Sequence, residues 1–263
     1  MSDGALVAGE KPPRLLHFRV SHYNEKVRWA LDFKRWPHRR KALVPGFHLA
    51  GVRLRTGQSK TPVLELDGAR VVGSARIIDE LERLRPDPPL YPADPEQRAR
   101  ALALQSWFDD EVAPAVRRVF WSYYIDDAGA CSRMASNGAS GPARVAFRAL
   151  FPLMRPLFRR NLGLDRERLD AARAGLEGIF DRLESEIGPH GYLVGDRFGL
   201  ADLVGAAIMA AIVRPPEFSY PLPQPLPDEL VALHEGLSAR RGYQWVRETY
   251  ARHRGTSAEI QPS

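Results

Sequence analysis

Apolar positions fall into two regimes along this chain. Over residues 14–85 they come in short alternating runs split by polar turns; from residue 96 onward they recur every three or four positions. Alternation is the mark of a strand with one buried face, and the wider spacing is that of a helix. Leu15–Val20 predicts a first strand, and Val27, Ala30 and Leu31 predict the inner face of a helix over Asn24–Arg35. Lys41–Val44 predicts a second strand, stopped by Pro45-Gly46, and residues 47–60 form a polar connection with room for one irregular helical turn. Pro62–Leu66 alternates again, Asp67-Gly68 is a hairpin signal, and Ala69–Val72 returns. Ser74 opens a helix to Leu84 that turns Ile77, Ile78 and Leu81 inward, so the expected order is βαβαββα. Pro62 cannot donate to a sheet ladder and must sit at a strand start or edge, where a cis bond is admissible.

The stretch Arg85–Pro92 holds four prolines and marks a boundary, dividing residues 14–85 from an all-helical part over 96–252. The first long helix runs from Glu96 to about Tyr124, with a kink at Pro114. Asp126–Gly141, rich in Gly, Ala and Ser, reads as a mobile loop. Phe147–Leu162 reads as helix broken at Pro152 and Pro156, and Arg166–Ile187 as one amphipathic helix. Leu203–Val213 is apolar nearly all round and predicts the buried central helix. Residues 214–227 are a Pro-rich loop, residues 228–252 supply the last helices, and both ends of the chain read as disordered tails.

A chain of 263 residues with 44% hydrophobic and 27% charged residues has the make-up of a globular protein with a sizeable core. The apolar run at 203–213 is too short to span a bilayer, and residues 1–13 lack a charged start followed by an apolar stretch. The single cysteine, Cys131, rules out an intrachain disulfide and a cysteine-built zinc site, and it fits a reducing cytoplasm. No metal-ligand spacing joins the seven histidines, so no metal is expected. A net charge of +6 raises nucleic acid as a partner, but the arginines are interleaved with acids, as in Asp165–Asp170, which is the pattern of solvated helix faces. Neither nucleic acid nor membrane is expected as a partner.

Four segments resemble the glutathione transferase superfamily. Ser21-His22-Tyr23-Asn24 followed by Lys26–Leu31 is similar to that family's Ser-Pro-Tyr-Cys followed by Lys-Val-Arg-x-Ala-Leu. Lys60–Leu64 resembles Lys-Val-Pro-Val-Leu, Gly73–Ile78 resembles Glu-Ser-x-Ala-Ile, and Gly195–Asp202 resembles Gly-Asp-x-Phe-Ser-x-Ala-Asp. The resemblance spans residues 14–250 and implies a thioredoxin-like α/β N-terminal domain, an all-α C-terminal domain, and a homodimer. It implies glutathione as co-substrate and a small hydrophobic electrophile as acceptor.

The residues carry chemistry of their own. Ser21 lies where strand becomes helix, and a helix start favours anions while a hydroxyl there can donate to a thiolate. A free thiol has a pKa of about 8.5, so lowering it by two units requires roughly 2.7 kcal/mol of preference for the thiolate. A charge-assisted hydrogen bond and a helix end together supply most of that. The resemblance assigns this role to Ser21; the alternatives are that Ser21 only caps the helix, or that Tyr23 or Asn24 meets the sulfur. By resemblance, Thr61 and Pro62 offer backbone hydrogen bonds to the cysteinyl part of glutathione, Ser74 takes the γ-glutamyl carboxylate, and Lys60 the glycyl carboxylate. Plain capping for Ser74 and a solvated loop lysine for Lys60 are the alternatives. Tyr23, His48, Trp107 and Phe108, with Trp121, Tyr124 and residues 214–227, are candidates for the acceptor pocket, although aromatics on a long helix also serve as core. Two departures from the pattern stand out: Gly73 replaces an acid that would pair with the γ-glutamyl amine, a gap Asp109 or Asp110 of a second subunit could fill, and His22 replaces a proline. These leave two other readings, a non-catalytic binding module and a peroxidase, dehalogenase or isomerase working through the same thiolate.

Overall fold

A computed structural model describes residues 11–44, 61–136, 141–220, 222 and 224–261. His48 and Lys60, and the helical turn expected within 47–60, lie outside the described residues. Among the described residues four short strands form one mixed sheet: β1 (Arg14–His17), β2 (Arg39–Ala42), β3 (Val63–Leu66) and β4 (Ala69–Val72), in the order β2-β1-β3-β4. β1 is parallel to β2 and antiparallel to β3, with Leu15 opposite Leu64 and Leu16 opposite Val63. Helix α1 (His22–Phe33) makes the crossover from β1 to β2, and α2 (Ser74–Leu84) comes after the β3–β4 hairpin. Together these give the expected thioredoxin-like sheet with helices, and the remainder is all helical. The first strand ends sooner than alternation implied, because the chain turns after His17 to enter α1.

The helical part comprises α3 (Pro95–Trp107), a π-helical turn (Phe108–Val112), α4 (Ala113–Ser122), α5 (Ala128–Ser136), α6 (Gly141–Leu162), α7 (Arg166–Ala174), α8 (Leu176–Glu186), α9 (Leu200–Val213), α10 (Asp228–Leu237) and α11 (Arg241–His253). Every residue of α9 is buried, and α9 packs against α1, α3, α4 and α11 as the central rod. Its small residues permit close approach: a Cβ on Gly205 would lie 2.7 Å from Cζ of Phe108. The start of α9 is tied by Asp202, whose carboxylate accepts from the N–H groups of Leu193 (2.8 Å) and Gly199 (3.0 Å).

Four expectations need correction. The region expected as a mobile loop contains α5, capped where Asp127 accepts from the Ala130 N–H at 2.9 Å and anchored by buried Ala130, Cys131 and Met134. Pro152 and Pro156 do not interrupt α6. Phe147, Phe151 and Phe158 pack into the apolar cluster that includes α5, and such packing outweighs two lost N–H donors. The single helix expected over 166–187 is two, meeting at Gly175. Residues 254–261 are docked rather than loose: the Ile260 N–H donates to His38 O (2.8 Å) and the His38 N–H to Ala258 O (3.3 Å), adding a parallel bridge beside β2.

Candidate functional site

The turn between β1 and α1 is held from below. Arg28, wholly buried, donates to the carbonyls of Phe18 (3.2 Å) and Arg19 (3.1 Å) and to Nδ1 of His17 (3.0 Å). An arginine only donates, so His17 carries its proton on Nε2, and burial beside that guanidinium pushes its pKa down to about 2. Ser21 follows this turn as N-cap of α1, its carbonyl accepting from the N–H of Asn24 (3.1 Å) and Glu25 (2.9 Å). Its hydroxyl makes no capping bond, so it is not spent on the helix start. Ser21 borders a cavity of about 830 Å³ between the sheet and the helices.

Thr61 and Pro62 reach the same cavity from the start of β3, joined by a cis peptide bond. Asn24, buried, extends Nδ2 towards Thr61 Oγ1 at 3.5 Å and so links the two loops. Gly73 donates its N–H to Pro62 O (3.1 Å) and has φ of +93°, a conformation that strains any side chain. The backbone at this position therefore favours the glycine that departs from the family pattern. Ser74, buried, opens α2 at the cavity wall.

Tyr23 also borders the cavity, but its hydroxyl donates to the carbonyl of Asp109 at 2.8 Å, and burial, with Asp109 nearby, pushes its pKa up to about 12. It is committed to the π turn. Asp109 is in turn bound by Lys26 Nζ at 2.6 Å and 2.7 Å, so it is engaged within its own chain rather than free to serve another subunit. His22 is buried against the Tyr23 ring, and burial, with Arg117 and Lys26 nearby, pushes it down to about 3. Cys131 borders the cavity with its thiol donating to Tyr124 O at 3.0 Å; burial, with Asp127 and Asp126 nearby, pushes it up to about 12, the opposite of an activated thiol.

Trp107 and Phe108 are not pocket residues. Both are core: Phe108 packs on Gly205, and Trp107 is covered by the Arg182 guanidinium 4.1 Å from its ring. The apolar wall comes from Phe120, Trp121, Phe147, Phe151 and Phe158, of which pattern alone points only to Trp121 as pocket-lining. The sequence signal for the others is the aromatic spacing on α6, which reads equally well as core. Two cations, Arg117 and Arg214, complete the lining. Among the described residues no cluster of three His, Cys, Asp or Glu is placed to hold a metal, and no helix is long and apolar enough to cross a membrane.

Residues 15–89 match the glutathione S-transferase N-terminal domain, and residues 166–225 match the glutathione S-transferase C-terminal domain. The chain belongs to the glutathione transferase superfamily. Comparison with curated proteins by sequence finds no significant match. Solved structures similar to this superfamily member include the beta-etherase LigF from Sphingobium sp. strain SYK-6, at 22% identity and TM-score 0.61, covering 90% of this chain and 99% of the other. A glutathione S-transferase from Methylobacterium radiotolerans, in complex with glutathione sulfonate, shares 22% identity at TM-score 0.55 over 96% of this chain and 99% of the other. The theta class glutathione S-transferase from Xanthomonas axonopodis pv. citri, with glutathione bound, shares 20% at TM-score 0.51 over 94% and 100%. At these identities the likeness is one of fold.

Proposed function

We propose that this protein is a glutathione-dependent transferase that conjugates the glutathione thiolate to a small hydrophobic electrophile. The observation that carries the reading is convergence: Ser21, Thr61, Pro62 and Ser74, from three separate segments, border one cavity whose far wall is aromatic. The Ser21 hydroxyl donates to the sulfur as the thiol proton leaves to solvent. Thr61 and Pro62 align the cysteinyl backbone, and Ser74 with the start of α2 meets the γ-glutamyl carboxylate. The sulfur lone pair then forms the new bond to an electrophilic carbon while the leaving group departs with its electron pair. Proximity and charge stabilisation carry the rate, with no acid–base group required. The glutathione bound in one of the similar structures, and the glutathione sulfonate in another, support the choice of thiol. The reading includes a cytoplasmic homodimer.

Retention on immobilised glutathione and an ultraviolet thiolate band on mixing are the expected results, the band shifting to higher pH in Ser21→Ala. Turnover of a chlorodinitrobenzene-type electrophile should fall about 10- to 100-fold in that variant, the value of one hydrogen bond to a charged sulfur. No retention and no band, or a variant as active as the parent, would sink the reading.

A further inference from the structure

The cavity combines an aromatic wall with uncompensated positive charge. Phe120, Trp121, Phe147 and Phe151 line it, and Arg117 and Arg214 border the same space. No Asp or Glu is among the described residues that line it. Arg117 forms no ion pair among the described residues, and its Nε is buried without a hydrogen-bond partner. Arg214 ends α9 in a left-handed conformation, donates to Tyr220 O at 2.7 Å, and stacks 4.2 Å from the Phe218 ring, again without an acid. A half-buried guanidinium lacking a counter-charge still loses part of its hydration, and that partial burial pulls Arg117 below its ordinary range. Around Glu25 and Asp32 this fold supplies carboxylates to its buried arginines, so the omission here is local.

We propose that the acceptor substrate is an electrophile that also carries an aromatic ring and a carboxylate, the sulfur bonding to a separate carbon from which the leaving group departs, its ring lying against the Phe120–Trp121 and Phe147–Phe151 wall and its carboxylate paired with Arg117, with Arg214 adding to the positive field. This deepens the transferase reading and rests on it for the identity of the cavity as an acceptor site. A planar guanidinium matches a carboxylate with two parallel hydrogen bonds, and an aromatic ring gains from stacking and from the apolar surface it covers. A neutral aromatic would fill the same space but leave Arg117 unanswered.

The test is calorimetric titration of the whole protein with 1-naphthoate and its neutral isostere 1-naphthamide, with and without saturating glutathione. Naphthoate should bind about 10- to 100-fold more tightly than the amide, and the difference should shrink with added salt. Arg117→Gln should erase the preference while leaving glutathione affinity unchanged; Arg117→Lys, which keeps the charge, should retain a weakened preference and serves if the Gln variant does not fold. Equal affinity for the two probes, no naphthoate binding at millimolar concentration, or a preference untouched in Arg117→Gln would overturn the proposal. So would displacement of naphthoate by glutathione, since Arg117 would then belong to the thiol's own site. Naphthoate binding without glutathione binding would instead sink the transferase reading and leave the anion site standing.

Discussion

Two arginine-bearing regions lie around α1, and they treat charge in opposite ways. On one side Arg28, Arg254 and Arg40 are buried with carboxylates: Arg28 and Arg254 both bind Glu25, at 2.6 Å and 2.8 Å, while Arg254 and Arg40 both bind Asp32, at 2.8 Å and 2.7 Å. Burial alone would raise the Glu25 carboxyl, but Arg254 and Arg28 outweigh that and hold it below the usual range. On the other side Arg117 and Arg214 border the cavity with no carboxylate among its described lining. A satisfied ionic cluster rigidifies; an unsatisfied cation waits for a ligand. The contrast separates a group kept for architecture from one kept for binding.

The sharpest way to break that contrast is to remove a partner from the satisfied side. Arg254→Ala leaves Glu25 with a single arginine and detaches Asp32 from the end of the last helix, and should cost about 3–5 kcal/mol in urea denaturation. A loss below about 1 kcal/mol would mean the cluster contributes little beyond order. Acid should act next. His17 and His38 near the cluster and His22 beside the cavity are buried and pushed down to about 2, 4 and 3, mainly by burial. The folded state keeps them neutral, whereas the unfolded chain takes up protons below pH ~6.5, so stability falls as pH drops through that value. Between pH 7 and 5 each should cost about 2 kcal/mol. A flat stability profile over that range would contradict their burial. The smallest effect belongs to the unsatisfied side: Arg117→Gln should change unfolding free energy by no more than about 0.5 kcal/mol, since no carboxylate is abandoned. A large loss there would make Arg117 structural and erase the distinction.

Much of the architecture was legible from pattern alone. Alternation placed the β3–β4 hairpin and α2 to within a residue, because Asp67-Gly68 and Ser74 punctuate the run. The central helix announced itself by being apolar on every face. Of the candidate site, Ser21, Thr61, Pro62, Ser74 and Tyr23 do meet one cavity, though the Tyr23 hydroxyl is turned to Asp109. The charges of α1 gave no sign of their burial, since the arginines that pair with Glu25 and Asp32, Arg254 and Arg40, arrive from other segments.

The misplaced pocket residues have a geometric cause. On an unbroken helix, Trp107 and Trp121 would share a face. The π turn at Phe108–Val112 carries one residue more per turn, marked by the Ala113 N–H bonding to Phe108 O. That extra residue rotates α3 by about 100° relative to α4. Trp107 and Phe108 swing into the core, and Arg117 and Trp121 are left to the cavity. Local chemistry written in the chain determined where strands, turns and helix starts lie, because those depend on neighbours within a few residues. Which side chains share a cavity, and which arginines receive a carboxylate, was decided only in three dimensions, because phase along a helix and pairing across the fold depend on residues far apart in sequence.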